Sequence, residues 1–437
     1  MSIHLSKFGK IADATIELEG LTVIAGRNDT GKSTIGKALY SLVKSIKDFP
    51  QLYTELKQQK AYYELFPIVF ELLKSYKGSK DNSLYKQMID IRSAFLDIVN
   101  YVRTDNYKNI EDYLNVVTQY LQIEDVDENS KNSIQQIMIE LHNEATDDEK
   151  FSTIISRIFG TNFRNEFNNS VTRENAEISY SIGQNVIASI RFKNNSYPTG
   201  HLNVEYKSTS FSDATFVESP LYLEEDHTSN MSFARDLKEK IDIAGKKYSE
   251  TGSNLNIINE IEDILDGATF KYNEKPNKWW KYIVKTGANP LSIENIASGS
   301  KSLGILYILL KMEVISKDSL IILDEPENHL HPEWQIRYAE VICKMVKNGF
   351  YVLLTSHSPY MIQALKTYSE KEGIFDKKVN FYFAEKEENC ENSSVIKNVK
   401  DEYGNFDDSK IFKSLYSPLE TLNEVYSEIY KNATSEK

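Results

Sequence analysis

The sequence predicts an α/β protein: a lobe built on a mixed sheet, with an all-helical subdomain inserted early in the chain. Three observations carry this. The apolar run Leu21-Thr22-Val23-Ile24-Ala25 leads into Gly26-Arg27-Asn28-Asp29-Thr30-Gly31-Lys32-Ser33-Thr34 and then into a helical pattern. A second run, Ser319-Leu320-Ile321-Ile322-Leu323, ends in Asp324-Glu325. Between them the chain is polar and helical from about Lys47 to Arg173, then turns to strand-like alternation.

Composition narrows the class. The 437 residues, 26% of them charged, show no signature of disorder and can hold one large core or two to three domains. Cys343 and Cys390 lie far apart without CxxC spacing, which excludes a disulfide framework and a zinc site on paired cysteines. A reducing, cytoplasmic setting fits. No apolar run reaches the roughly 18 residues of a membrane span, and Met1 to Lys7 lack the apolar core of a signal peptide. The net charge of −13 argues against a surface that attracts nucleic acid everywhere, while leaving room for a local basic groove.

In chain order, Ile3 to Phe8 and Ala14 to Leu18 read as strands feeding the strand before Gly26. The glycine-rich stretch has the form of a phosphate-binding loop. Gly26 and Gly31 let the backbone curl its N–H groups inward and a helix N-terminus adds positive potential, so Gly26, Asn28, Gly31, Lys32, Ser33 and Thr34 are the candidate nucleotide-binding residues of the loop. Lys32 suits the β- and γ-phosphates, and the Ser33 hydroxyl suits Mg²⁺. Ile35, Leu39, Leu42, Val43 and Ile46 follow at helical spacing.

The domain reading is therefore 1–46 for the first part of the lobe, 47–175 for the helical insertion and 176–437 for the rest. Within the insertion, apolar faces run through Met88, Ile91, Phe95, Ile98 and Val102, through Tyr113 to Leu121, and through Ile134, Ile137 and Leu141. No heptad persists, so the pattern is that of a compact helical subdomain rather than a long coiled coil. Its charge is uneven. Residues 41–110 carry about three more basic than acidic groups and 111–150 about nine more acidic, either as solvated helix faces or as ends facing different partners.

Strands return between Ile178 and Leu223, helices over 230–266, and a hairpin over Ala268–Tyr272 and Trp279–Val284. Trp279, Trp280 and Tyr282 stand among lysines, so they are either half-buried strand residues or a base-stacking platform. Ahead of the second apolar run, Ala297-Ser298-Gly299-Ser300-Lys301 directly precedes an apolar helix from Leu303 to Ile315, offering a serine and a glycine N–H to an anion. Asp324 ends a strand suited to lie parallel to the phosphate-loop strand, where it would hold the Mg²⁺ water shell beside Ser33. Glu325, one residue on, can polarise an attacking water.

After Glu325, Glu327 to Pro332 lead into a helix with Pro332 at its first position and Asn348-Gly349 at its end. The strand Phe350 to Thr355 then delivers Ser356-His357-Ser358-Pro359. A serine hydrolase is disfavoured, since no GxSxG elbow accompanies the Ser-His pair. The i, i+2 spacing of His329 and His331 suits loop residues better than a metal pair.

These motifs, in this order, resemble the soluble ABC-type ATPases related to SMC, RecF and the overcoming-lysogenization-defect nucleases. The likeness is greatest to the stand-alone ATPase subunits of bacterial anti-phage systems such as Septu and PARIS. It rests on GRNDTGKST, on the signature ASGSKSLGIL with Lys301 in place of the usual Gln or Glu, and on LDEPENHLHP followed by TSHSP. It covers the lobe and not the insertion. The resemblance implies an ATPase with ATP and Mg²⁺ as ligands and His357 as the switch histidine. It also implies a homodimer that sandwiches two ATP molecules, each held by Lys32 and Ser33 of one chain and Ser298 and Gly299 of the other, with higher oligomers open.

Departures narrow the assignment. The zinc-hook members carry CxxC on long coiled coils, and neither feature is present. About 80 residues follow His357 without the acidic cluster of a Toprim nuclease, so any nuclease would be a separately encoded effector. The family's glutamine loop has no clear counterpart; Gln184 is a weak candidate. The leading expectation is a sensor or scaffold that controls such an effector during phage infection. A RecF-like ATPase that clamps DNA is the alternative, and a transporter subunit suits the motifs but not the insertion.

Overall fold

The computed structural model describes residues 1–76, 127–142, 145–168, 175–193, 197–224, 229, 231–247, 256–273, 279–287, 289–328, 330–387, 390–400, 407, 409, 411–412, 415 and 421–426. Strands β1 (Ser2–Phe8), β2 (Ile11–Glu17) and β3 (Leu21–Gly26) lead into helix α1 (Lys32–Lys47). Helices α2 (Gln51–Tyr76), α3 (Glu128–His142) and α4 (Asp147–Phe163) come next. Strands β4 (Ala176–Ile182), β5 (Asn185–Phe192), β6 (Thr199–Leu202) and β7 (Ala214–Val217) follow, then α5 (Ser232–Lys246) and α6 (Asn256–Ile264).

The remainder comprises β8 (Thr269–Asn273), β9 (Trp279–Ile283), β10 (Leu291–Ser292), α7 (Ser298–Lys311), β11 (Leu320–Asp324), α8 (Pro332–Lys347) and β12 (Tyr351–Ser356). Helices α9 (Pro359–Lys371) and α10 (Phe375–Lys378) and the ribbon β13 (Val379–Glu387) and β14 (Cys390–Asn398) complete it.

The mixed sheet of the expected α/β lobe has eleven strands among the described residues, in the order β6-β5-β4-β1-β2-β14-β13-β3-β12-β11-β7. From β6 to β2 all neighbours are antiparallel, and from β13 to β7 all are parallel. The pattern of burial explains the split. Every residue of β3 and β11 is buried, as parallel strands covered on both faces require, whereas β2 alternates buried and exposed positions. A small antiparallel sheet, β10-β9-β8, stands apart from the large one.

By its contacts the described chain divides into two compact units, Met1–Lys47 with Phe151–Lys437, and Asp48–Lys150. In the second unit α2 packs along α3, Lys60 reaches Glu140 at 2.8 Å, and Ile134 is buried. A reciprocal capping box opens α4 there. The Glu149 carboxylate accepts from the Thr146 N–H at 2.7 Å, and the Thr146 hydroxyl accepts from the Glu149 N–H at 3.3 Å. The apolar faces read over Met88–Val102 and Tyr113–Leu121 lie outside the described residues.

In the first unit the apolar positions of α1 (Ile35, Leu39, Leu42, Val43 and Ile46) are buried as their spacing requires. Phe8, Phe159, Phe163, Phe167 and Phe192 form an aromatic cluster with neighbouring centroids 4.7–6.5 Å apart, so residues from Phe151 onward in α4 serve this core. Buried Asn162 ties three helices together. Its amide donates to the Ser41 hydroxyl of α1, and its oxygen accepts from the N–H and hydroxyl of Ser232 in α5.

Of the two readings left open for Trp279 and Trp280, the strand one holds: both rings are buried, and their indole N–H groups donate to the carbonyls of Leu223 and Ile241. The indoles bury large apolar surfaces and each finds an internal acceptor, so no ring face is left for a base. One expectation is corrected: the signature residues do not precede their helix. Ala297 is the cap and α7 begins at Ser298, ending at Lys311 instead of Ile315, because Glu313 turns to φ +49° and the Val314 N–H closes back on the Leu309 carbonyl at 3.0 Å.

At the opposite end of β7 from the phosphate loop, Asp213 meets Lys44 at 3.2 Å, Lys47 at 2.9 Å and Lys240 at 3.1 Å. Burial would raise the Asp213 carboxyl, but Lys240, Lys44 and Lys47 outweigh it and hold the group well below the usual carboxylate range. Asp213→Asn leaves these partly buried cations short of a counter-charge and is expected to cost about 3 kcal/mol in urea denaturation. Because the folded value is depressed, the Asp213 contribution is full above the unfolded value of about 4 and fades as pH falls below it. The stability difference between wild type and Asp213→Asn should therefore narrow between about pH 4 and pH 2.

Candidate active site

The functional residues gather because β3, β12 and β11 run parallel and end on the same edge of the sheet. The register sets Ala25 opposite Ser356 and Thr355 opposite Asp324, so Gly26, His357 and Glu325 each leave the sheet side by side. After β3 the chain turns sharply. Gly26 has no room for a side chain, since a Cβ would lie 2.6 Å from the Ala384 carbonyl, and Gly31 adopts φ +78° just before α1. The first turn of α1 carries no acidic residue of its own to compete for its N–H groups and dipole. Asn28 is exposed at the loop tip, and the Thr34 N–H donates to the Gly31 carbonyl at 3.1 Å.

A cavity of about 1080 Å³ opens against this loop, lined by residues 29–34, Lys10, Asn165, Lys193 and Glu325 among others. Lys32 is almost fully buried. Its Nζ donates to the Arg27 carbonyl at 2.8 Å and lies 3.5 Å from Glu325 Oε1. Burial lowers its pKa, opposed chiefly by Glu325.

Asp324 is also buried. Its Oδ1 accepts from the Thr355 hydroxyl at 2.6 Å. Burial raises its pKa, with Thr355, Ser33 and Lys37 opposing. Ser33, expected with Asp324 at Mg²⁺, is thus near enough to act on that carboxyl.

Glu325 leaves the strand with φ +48°, and its N–H donates to both the carbonyl and the hydroxyl of Thr355 at 3.1 Å. That uncommon backbone turns its side chain toward Lys32 and His357. His357 Nδ1 lies 3.4 Å from Glu325 Oε1, an ion-pair distance longer than a hydrogen bond. His357, then Lys32 and Asn328, hold Glu325 down to about 2 against the effect of burial. Conversely Glu325, with Glu327, raises the His357 pKa against burial and Lys32.

Ser298 and Gly299 stand apart from this group and do not line its cavity. They form the first turn of α7, packed on the chain after Glu325: a Cβ on Gly299 would lie 2.9 Å from Leu330 and 3.0 Å from Trp334. Lys301 points inward, with its Nζ 2.5 Å from Glu224. Gln184 is exposed in the β4–β5 turn.

Two carboxylates were missed. Glu218 follows β7 one residue past the pair Val217 and Leu323, binds Lys37 of α1 at 2.8 Å, and raises the pKa of Asp324. A charged residue ending an apolar strand was the available signal, as for Asp324. Glu327, read only as part of a loop, is buried and accepts from the chain around His357. Its place as the third carboxylate in Asp324-Glu325-Pro326-Glu327 was the signal.

The profile of the AAA ATPase domain family matches residues 1–362. The chain belongs to that family. This AAA ATPase domain is also similar to the Septu protein PtuA of Bacillus thuringiensis, 28% identical over 123 residues that make up 25% of the chain and 31% of that relative's length. The chain thus spans under a third of the relative it matches. Among solved structures, the SMC head domain from Thermotoga maritima aligns over 92% of this chain and 98% of its own, with 10% identity and a TM-score of 0.40. An SMC head bound to the C-winged helix domain of ScpA aligns over 91% and 97%, with the same identity and score. Among the described residues of this AAA ATPase domain, no helix is long and apolar enough to cross a membrane.

Gly299→Ala is expected to lower thermal stability by about 1–2 kcal/mol, because the new methyl meets the rigid Trp334 ring. Calorimetry of the variant checks this, and Gly299→Val should cost more.

Proposed function

We propose that the chain binds and hydrolyses ATP with Mg²⁺ at the edge where β3, β11 and β12 end. The observation that carries this is the convergence of Lys32, Ser33, Asp324, Glu325 and His357, which the sequence separates by more than 280 residues. The residues fit the ligands: a glycine loop and a helix N-terminus face a cavity that Ser33 lines, and the buried Asp324 carboxylate is near enough for Ser33 to act on it. Bound between Ser33 and Asp324, Mg²⁺ would neutralise charge on the phosphate oxygens.

The residues divide the work. Gly26 to Thr34 cradle phosphate oxygens with backbone N–H groups, and Lys32 exchanges the Arg27 carbonyl and Glu325 for those oxygens. That exchange removes one of the cations depressing Glu325, so its carboxylate becomes a better acceptor for the proton of an attacking water. His357 stays beside Glu325 and stabilises the negative charge there. Phosphoryl transfer depends mainly on such positioning and charge placement.

Ser298 and Gly299 lie outside the cavity, which supports a sandwich homodimer in which the partner's copies of these residues close the phosphate side. Hydrolysis would then loosen the dimer, to the extent that ATP prefers the closed state. The likeness to a Septu protein supports the further reading that the dimer controls a separately encoded effector, a nuclease, in anti-phage defence. Co-purification with the products of adjacent open reading frames tests that reading, and a permease partner would overturn it.

Lys32→Ala should abolish ATP binding in calorimetric titration. Glu325→Gln should retain binding but slow turnover at least about 10²-fold, a loss of about 2.7 kcal/mol of transition-state stabilisation, and accumulate an ATP-bound dimer in light scattering. Undiminished hydrolysis by Glu325→Gln would refute the role given to that carboxylate.

A further inference from the structure

Glu327 has a side chain only 3% exposed, and its Oε1 is surrounded by donors from a single stretch. The Ser356 hydroxyl donates at 2.6 Å, the His357 N–H at 2.8 Å and the Ser358 N–H at 3.2 Å. The same oxygen lies 3.4 Å from His357 Nδ1. A second tie runs alongside, since Gln335 accepts from the Ser358 hydroxyl while its amide donates to the Leu330 carbonyl at 3.0 Å. The chain after Glu325 is thereby fastened to the chain after β12 at two points.

We propose that Glu327 is a positioning residue: it fixes the backbone of residues 356–358 and holds the His357 ring against Glu325. Where the proposal concerns turnover it rests on the ATPase reading above.

The chemistry argues for a role in the carboxylate's charge. Three donors satisfy Oε1, but Oε2 is buried with no hydrogen-bond partner among the described residues. Burying an unsatisfied anionic oxygen is costly. A glutamine of the same shape could accept the same three bonds through its amide oxygen without burying a charge, so the backbone donors alone do not call for an anion. The neighbour that distinguishes carboxylate from amide is the His357 ring, whose Nδ1 likewise has no hydrogen-bond partner among the described residues and stands equidistant from Glu325 and Glu327. The charged groups facing that ring are Glu325, Glu327 and Lys32, and both carboxylates favour its protonated form while Lys32 opposes it. Glu327 thus holds the ring in place from behind while Glu325 faces the cavity.

The test compares full-length wild type, Glu327→Gln and Glu327→Asp without nucleotide. Ring signals of the seven histidines are followed by NMR against pH, with His357 assigned by its loss in His357→Asn. Glu327→Gln should lower the titration midpoint of His357 by about half a unit or more, through loss of one facing anion. Glu327→Asp, charged but shorter, should keep most of the raised midpoint while speeding hydrogen exchange at the His357 and Ser358 amides. With Mg²⁺ and ATP, Glu327→Gln should lower kcat about tenfold with little change in KM.

An unchanged His357 midpoint in Glu327→Gln would overturn the proposal. If Glu327→Gln does not fold, unchanged amide exchange in Glu327→Asp would do the same. Wild type that fails to hydrolyse ATP would sink the ATPase reading and the kinetic arm, while the ring titration and amide exchange would still decide whether Glu327 positions His357.

Discussion

The hydrogen-bond register of four parallel strands governs this molecule. With Ala25 opposite Ser356, Asp324 opposite Thr355 and Val217 opposite Leu323, the phosphate loop, His357, Glu325 and Glu218 all emerge at one edge. The strands are apolar and buried, so sliding one by a residue would invert the faces of its side chains and strand its backbone polar groups. Thr355 shows how closely the chemistry depends on that register. Its hydroxyl bonds the Asp324 carboxylate, and its carbonyl and hydroxyl both accept from the Glu325 N–H. One small residue of β12 thereby ties down the Asp324 carboxylate and the backbone of Glu325.

At the strand ends, charge is concentrated in a partly dry space. Lys32, Asp324, Glu325, Glu327 and His357 sit within reach of one another, and each shifts its neighbours: Glu325 down, His357 up, Lys32 and Asp324 toward their neutral forms by burial. Such a cluster is sensitive to a new anion, because drawing Lys32 toward phosphate changes the field at Glu325 and then at His357. The cluster is also fastened to elements that face away from it. Glu218 binds Lys37 on α1, while Glu224, a few residues later, binds Lys301 on α7. A single segment after β7 therefore links α1 to α7 through an ion pair at each end.

Much of this was legible in the sequence because the signals are local. Gly26 to Thr34 specify a turn of particular backbone geometry, four apolar residues ending in Asp324-Glu325 specify a buried strand with a polar tip, and Pro332 and Asn348-Gly349 mark the ends of α8. Each signal depends on neighbours within a few residues, as propensity, capping and periodicity do. The same locality left alternatives open where burial decides the outcome. Trp279 and Trp280 among lysines carry no mark of the carbonyls of Leu223 and Ile241 that receive their N–H groups.

What the sequence determined by itself was therefore the kind of fold and the local shape of each stretch that carries a candidate site residue, since backbone curvature, strand burial and helix ends are written in short stretches. Tertiary structure alone decided which of these residues meet. The nearness of Lys32 to Glu325, the turning of Lys301 into the protein, the placing of Glu218 beside Asp324 and the burial of Glu327 beside His357 join positions far apart in the chain. Only the sheet's strand order and register bring them together, and these are set by the packing of the whole core rather than by any stretch of it.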